Sequence, residues 1–320
     1  MSATSSKIGA GQSFEELRKE IETLKREKNA LVMAHYYQRD EIQEVADFIG
    51  DSLALARQAA KTDADIIVMC GVHFMGETAK ILCPDKKVLV PDLNAGCSLA
   101  DSCPPDEFAA FVKAHPGYTV VSYVNTSAAV KAHTDIVVTS GNARKIIESL
   151  PTDEKIIFGP DKNLGEYINS VTGRSMLLWD GACHVHDRFS LEKILEMKRQ
   201  HPGAKVLVHP ECRRPLQLIA DKVGSTAALL DFAANDEAKE YIVVTESGIL
   251  FEMRRKCPGK TFLAAPADDA ECQCNECDFM KLNTLQKVYE ALRDEKPEIT
   301  VDPEIAREAL KPIERMLELS

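Results

Sequence analysis

The chain has 320 residues, 45% of them apolar and 28% charged, and a net charge of −11. Such proportions belong to a soluble globular protein and exclude a collagenous, mucin-like or largely disordered chain. The acidic balance also removes the general basic field that non-specific binding to nucleic acid or a membrane surface needs, so neither is expected as a partner.

Residues 1–13 are small and polar and read as a flexible N-terminal tail without the apolar core of an export signal. From Phe14 to Lys28, FEELRKEIETLKREK sets apolar residues at helical spacing among dense charge, which predicts a surface helix. No later run approaches the roughly 18–20 apolar residues of a membrane span. A cytoplasmic location follows as an expectation. There the ten cysteines should be free, metal-bound or catalytic rather than paired in disulfides.

Beyond the first helix, short Val- and Ile-rich runs alternate with helical segments, the pattern of βα units and parallel sheets. The runs fall into three copies of strand–helix–strand–helix–strand. The first copy has strands at Leu31 to Ala34, Ile66 to Met69 and VLVPD ending at Asp92. The second has Val120 to Tyr123, Ile136 to Thr139 and IIFGPD ending at Asp161. The third has Val206 to Val208, Ile242 to Val244 and TFLAAP ending at Pro266. Length alone suggests about two domains. The repeat predicts three similar three-layer αβα domains with pseudo-threefold symmetry around a central site. Their expected bounds are 14–110, 111–200 and 201–320, the last including C-terminal helices that pack back on domain 1.

Ligands of parallel α/β sheets sit outside the carboxyl ends of the strands. Here the first strand of each copy ends in polar groups: His35 and Tyr37, Tyr123 and Asn125, His209 and Glu211. Each third strand is followed by cysteine: Cys97, then Cys183, then Cys272, Cys274 and Cys277. Three units therefore aim a strand-end side chain and a thiolate at one point. The spacing of Cys274 and Cys277 suits zinc, yet the second local pair of a structural zinc site is missing. Nor is there a Cys-x-x-Cys-x-x-Cys ferredoxin run. One cysteine per unit holding a [4Fe–4S] cluster remains, with one iron left open as a Lewis acid.

The segments MAHYYQ, GDSLALA, GVHFMGETAKIL, YVNTSAAVKA, GPDKNLG, GACHVHD, HPEC, GST and the late cysteine-rich stretch occur in this order. Together they closely resemble the quinolinate synthase family, the A proteins of de novo NAD biosynthesis, across residues 15–318. The resemblance implies an oxygen-sensitive [4Fe–4S] cluster on three cysteines. It also implies condensation of iminoaspartate (iminosuccinate) with dihydroxyacetone phosphate to quinolinate, phosphate and water, without net redox change. Position by position, it makes Cys97, Cys183 and Cys277 the cluster ligands. Cys97 is preferred to Cys103 because it precedes the SLAD segment. Relatives with Cys-x-x-Cys-x-x-Cys at the third site differ from Cys-x-Cys-x-x-Cys here, which leaves Cys272 and Cys274 as a regulatory pair or spectators. Cys70, Cys83, Cys103, Cys212 and Cys257 are expected to be packing thiols.

The resemblance surrounds the substrate with His35, Ser52, Tyr123, Val124, Asn125, Ser140, His209, Pro210, Glu211 and Thr226. Glu211 is expected as a base, with Tyr37 and Tyr123 as proton donors or relays and His35 and His209 as further acid–base groups. His186 either faces the site or hydrogen-bonds beside the cluster. His73, His115, His133 and His201 read as surface or helix-flank residues. Because the substrates are anions and the chain is acidic, recognition must come from helix N-termini such as Gly50-Asp51-Ser52, Ser140-Gly141-Asn142 and Gly224-Ser225-Thr226. An aconitase-like hydro-lyase would use the same open iron without a phosphate site, and an iron–sulfur carrier or a zinc hydrolase would use the thiolates differently. Iminoaspartate is labile, so an aspartate oxidase or dehydrogenase is the expected functional link. Monomer and homodimer both remain open.

Overall fold

The structure, a computed structural model, describes residues 13–268 and 275–320; Cys272 and Cys274 lie outside the described residues. These residues hold three four-stranded sheets. The first consists of β1 (Ala30–His35), β2 (Phe48–Gly50), β3 (Ile66–Cys70) and β4 (Lys87–Leu89), in the order β2-β1-β3-β4. The second consists of β5 (Thr119–Tyr123), β6 (Ile136–Val138), β7 (Ile156–Gly159) and β8 (Leu177–Leu178), ordered β6-β5-β7-β8. The third consists of β9 (Lys205–Val208), β10 (Lys222–Val223), β11 (Glu240–Val244) and β12 (Thr261–Ala264), ordered β10-β9-β11-β12. All strand pairs are parallel. The fold is thus α/β, with one topology used three times.

Each sheet has one strand more than the sequence pattern suggested. The extra strands β2, β8 and β10 span three, two and two residues, too short to carry a readable alternation. They correct the register of the second copy. Pro91-Asp92 follows the fourth strand of its sheet, whereas Pro160-Asp161 follows a third strand, β7, so the two motifs are not equivalent. The inner strands are apolar and buried on both faces, as parallel sheets between helices require.

A repeated carboxylate fastens the first two strands of every sheet. Asp47, Asp135 and Asp221 stand 88 and then 86 residues apart. Each accepts the backbone N–H of a valine 15 residues upstream: Val32 at 2.9 Å, Val120 at 2.8 Å and Val206 at 2.7 Å. Each also donates its own N–H back to that valine's carbonyl at 2.9 Å.

The chain forms two compact units, residues 1–96 with 278–302 and residues 97–277 with 303–320. The first unit contains the first sheet. There a capping box on Ser13 and Glu16 starts the helix Phe14–Glu27, which buries Leu17 and Ile21 and packs on the helix Leu285–Asp294. The second unit contains the other two sheets. The final helix, Pro303–Leu319, packs there on β6 and the helix Ala128–Lys131, whereas the other C-terminal helix, Leu285–Asp294, packs with the first sheet in the first unit. Ser320 Oγ accepts a 2.7 Å hydrogen bond from Asn142 Nδ2 in the same unit. Among the described residues no helix is long and apolar enough to cross a membrane.

Candidate active site

Three kinds of segment recur at the strand ends. At the end of the first strand of each sheet stand His35-Tyr36-Tyr37, Tyr123-Val124-Asn125 and His209-Pro210-Glu211. After the second come Ser52, Ser140 and Thr226. Both sets keep spacings of 88 and 86 residues. After the fourth strand come the cysteines, each directly preceding a one-turn helix. Cys97 leads into Ser98–Asp101, Cys183 into His184–Asp187 and Cys277 into Asp278–Lys281.

His35, Tyr37 and Ser52 belong to the first unit. His35 is buried and its Nδ1 accepts the N–H of Tyr37 at 3.1 Å, while the two rings meet edge to face at 4.5 Å. Ser52 opens the helix Ser52–Lys61, which Asp51 caps by accepting from Ala54 N.

In the second unit the structure gathers Tyr123, Ser140, His209 and Glu211. The Tyr123 hydroxyl donates to Glu211 Oε1 at 2.5 Å. His186 Nδ1 lies 2.9 Å from Glu211 Oε2 and 3.2 Å from Cys183 Sγ, and its Nε2 lies 2.9 Å from Thr245 Oγ1. Its ring stacks on His209 at 4.6 Å. His209 Nδ1 accepts the N–H of Glu211 at 3.3 Å, which leaves the proton on Nε2, 3.2 Å from Ser140 Oγ. Val124, Pro210 and Thr226 are buried as well. Thr226 opens the helix Thr226–Asn235 behind the cap Ser225, and Ser225 Oγ lies 3.4 Å from where a side-chain carbon on Gly141 would stand, so these two turns meet. The buried Oδ1 of Asn125 has no hydrogen-bond partner. Among the described residues it is one of few such acceptors, and a buried acceptor is costly to leave unpaired.

Burial opposes charge on Glu211, but the His186 and His209 rings and the Tyr123 hydroxyl outweigh it and hold this carboxyl well below its usual range. Asp161 shifts the other way: its complete burial and the Glu211 charge push its pKa up. Two carboxyls with opposed shifts beside a cysteine make a strong candidate for acid–base chemistry.

Sequence reasoning left His186 undecided and did not single out Asp161, Glu246 or Asn163. Asp161 accepts the N–H of Cys183 at 3.2 Å and of Leu164 at 2.7 Å. Glu246 accepts the N–H of Cys277 at 3.1 Å and of Gly248 at 2.7 Å. Asn163 Nδ2 donates to the Glu211 carbonyl at 3.1 Å. Asp161 and Glu246 each stand two residues beyond the third strand of their sheets, a recurrence that a correctly registered repeat exposes. Ser98 and His184, the residues after two of the cysteines, meet at 2.5 Å.

A family model described as quinolinate synthetase A protein matches residues 19–318. The chain belongs to that family. Among curated relatives, the quinolinate synthases of Synechococcus sp. and Thermosynechococcus vestitus are 55% and 56% identical over 94% of this chain and 94% of theirs. That of Chloroherpeton thalassium is 55% identical over 95% of each chain. A solved E-1-hydroxy-2-methyl-but-2-enyl-4-diphosphate reductase from Plasmodium falciparum covers 88% of this chain at 10% identity and a TM-score of 0.29, and bears on nothing below.

Seen as a quinolinate synthetase A protein, the chain sorts its cysteines into two groups. Cys97, Cys183 and Cys277 are partly accessible, whereas Cys70, Cys83, Cys103, Cys212 and Cys257 are buried. Burial pushes the Cys97 thiol up to about 12, with the charges of Cys277 and Glu211 adding and the backbone N–H groups of Ala100 and Leu99 opposing. Cys183 is raised by burial, by Glu211 and by Cys97 and Cys277. Three sulfurs close enough to raise one another, two of them at helix starts with N–H groups turned toward them, fit a cationic iron–sulfur group, whose charge would hold them as thiolates. A second donor set is geometrically tighter. Ligand atoms of Cys183, His186 and Glu211 lie within 4.8 Å of one another. His186 already bonds both partners there, so that triad is satisfied without an ion.

Proposed function

We propose that the chain is a quinolinate synthase that condenses iminoaspartate with dihydroxyacetone phosphate, giving quinolinate, phosphate and water. The observation that carries this reading is the Tyr123–Glu211–His186 network beside Cys183, with Asn125 Oδ1 left for a ligand. Cys97, Cys183 and Cys277 would hold a [4Fe–4S] cluster, which when bound supplies an iron that acts as Lewis acid on a substrate oxygen.

The remaining roles fall to side chains. Glu211, ionised at neutral pH, takes a proton from a substrate carbon. Tyr123, already sharing its proton with Glu211, returns it to a departing hydroxyl. His186 fixes the orientation of Glu211 through the contact of its Nδ1 with Oε2, and the stacked His209 presents its Nε2 proton beside Ser140. Asn125 offers an acceptor to a substrate N–H or hydroxyl and an amide donor to a carboxylate. The start of the helix Thr226–Asn235 offers further N–H donors to a carboxylate or phosphate. His35, Tyr37 and Ser52 are assigned to the same substrate by family resemblance. A labile imine substrate calls for an enzyme that oxidises aspartate as its source.

The test is anaerobic incubation of the iron–sulfur-loaded protein with freshly generated iminoaspartate and dihydroxyacetone phosphate. Quinolinate and inorganic phosphate should appear in equal amounts. Phosphate release without quinolinate, or hydration of a simple carboxylic acid with neither, would overturn the reading.

A further inference from the structure

The loop after the first strand of every sheet is held from behind by one side chain. Gln43 Nε2 donates to the carbonyls of Tyr36 at 3.2 Å and Gln38 at 2.9 Å, seven and five residues upstream. Gln217 Nε2 donates to Pro210 at 2.9 Å and Cys212 at 2.7 Å, again seven and five residues upstream. In the second sheet the same position is Lys131, whose Nζ donates to Val124 at 2.8 Å and to Thr126, with the same two separations. Lys131 is fully buried, at 0% exposure.

A neutral amide accomplishes this tie twice. The lysine therefore brings a protonatable amine that the tie does not require, and a buried ionisable group is costly to keep. Its loop differs from the others in a second way. In the first and third sheets the N–H two residues past the strand-end histidine is consumed by that ring: Tyr37 by His35 and Glu211 by His209. The second sheet has Tyr123 at the histidine position, and Tyr123 reaches across to Glu211 instead. The N–H of Asn125 accordingly finds no acceptor among the described residues, and Asn125 Oδ1 is unpaired as well. Because a trans peptide points N–H and C=O in opposite directions, the lysine that holds the Val124 carbonyl turns the Asn125 N–H the other way.

We propose that Lys131 is a positioning residue for an anionic group of the substrate, a carboxylate or phosphate. Its buried charge lies behind the Val124 and Thr126 carbonyls and makes the opposite face of the loop, with the Asn125 N–H, attractive to an anion. This rests on the function proposed above. Three variants test it, each purified anaerobically with cluster content measured. Lys131→Gln keeps the two ties found in the sister sheets and removes the charge. It should leave the melting temperature and kcat near those of the wild type and raise KM for one of the two anionic substrates by about tenfold. Lys131→Arg, which keeps the charge, should retain most of the wild-type KM. Lys131→Met, which loses ties and charge, should lower the melting temperature too. Inorganic phosphate and succinate, used as competing anions, identify which group is bound, since only one should inhibit the wild type more strongly than Lys131→Gln. An unchanged KM for both substrates in Lys131→Gln, or an unfolded Lys131→Gln beside a folded Lys131→Arg with raised KM, overturns the inference. A wild type that makes no quinolinate overturns the functional reading instead, so the two failures are distinct.

Discussion

Glu211 receives Tyr123 on one oxygen and His186 on the other, with its own N–H on His209 Nδ1 and its carbonyl on Asn163. Replacing it by Gln keeps the volume and removes the base. Glu211→Gln should lower quinolinate turnover by about 10²–10⁴-fold while cluster content stays at the wild-type level, as steady-state rates beside iron and sulfide analysis would show. Tyr123→Phe removes one proton path and leaves the base, so its loss of turnover should be smaller than that of Glu211→Gln in the same assay. Much of this group was legible in the sequence, because a histidine, tyrosine or glutamate directly after a Val-rich strand has few reasons to be there. The partnership of Glu211 with His186 was not. Those residues lie 25 positions apart, His186 on the one-turn helix His184–Asp187 and Glu211 just beyond β9, and only the packing of β8 and β9 into sheets of one unit brings them within 2.9 Å.

At the scale of elements, the strand-fastening aspartates act alike in all three sheets. Asp135→Ala and Asp221→Ala each leave a valine N–H near the sheet edge without its carboxylate. Each should cost about 1–3 kcal/mol in denaturant unfolding; a loss in one and none in the other would refute their equivalence. The repeated Asp followed by a short strand and Ser or Thr, in ADFIGDS, TDIVVTS and ADKVGST, was present in the sequence. It went unread because β2 and β10 are too short to register as strands, and β6 was matched to the wrong partner. A second element, the turn after the helix Leu285–Asp294, carries Glu295 in a left-handed conformation at φ 53°. Hydrogen bonds from Lys28 and Lys87, at 2.7 and 2.5 Å, hold its carboxyl down to about 2. The folded pKa lies below the ordinary glutamate value, so its contribution is present above about pH 4.5 and is lost as pH falls toward 2. Glu295→Gln should therefore flatten the acid-side loss of stability of the first unit, and added salt should narrow the difference between variant and wild type, because these charges face solvent.

For the whole molecule, three sheets of one topology give each sheet the same duties: a polar strand end, a hydroxyl-bearing turn and a cysteine loop. The first two of these were visible as a spacing of 88 and 86 residues. The division of the chain into two units was not, because it depends on where the last two helices pack. The cysteines give a global test. Cys97→Ala, Cys183→Ala and Cys277→Ala should each lose the iron–sulfur signal, while Cys103→Ala and Cys257→Ala should keep it and lose only stability, by anaerobic absorption spectra and thermal melting. The helix Pro303–Leu319 has a consequence for how the protein is made. It covers β6 and the helix Ala128–Lys131, elements completed more than 160 residues earlier in the chain. A ribosome adding about 5–20 residues per second thus releases the second sheet with this face uncovered until the helix Pro303–Leu319 has been made. A nascent chain stalled at residue 300 should bind holding chaperones through the second sheet although the twelve described strands are already synthesised, and truncation just before Pro303 should harm a sheet in the middle of the sequence.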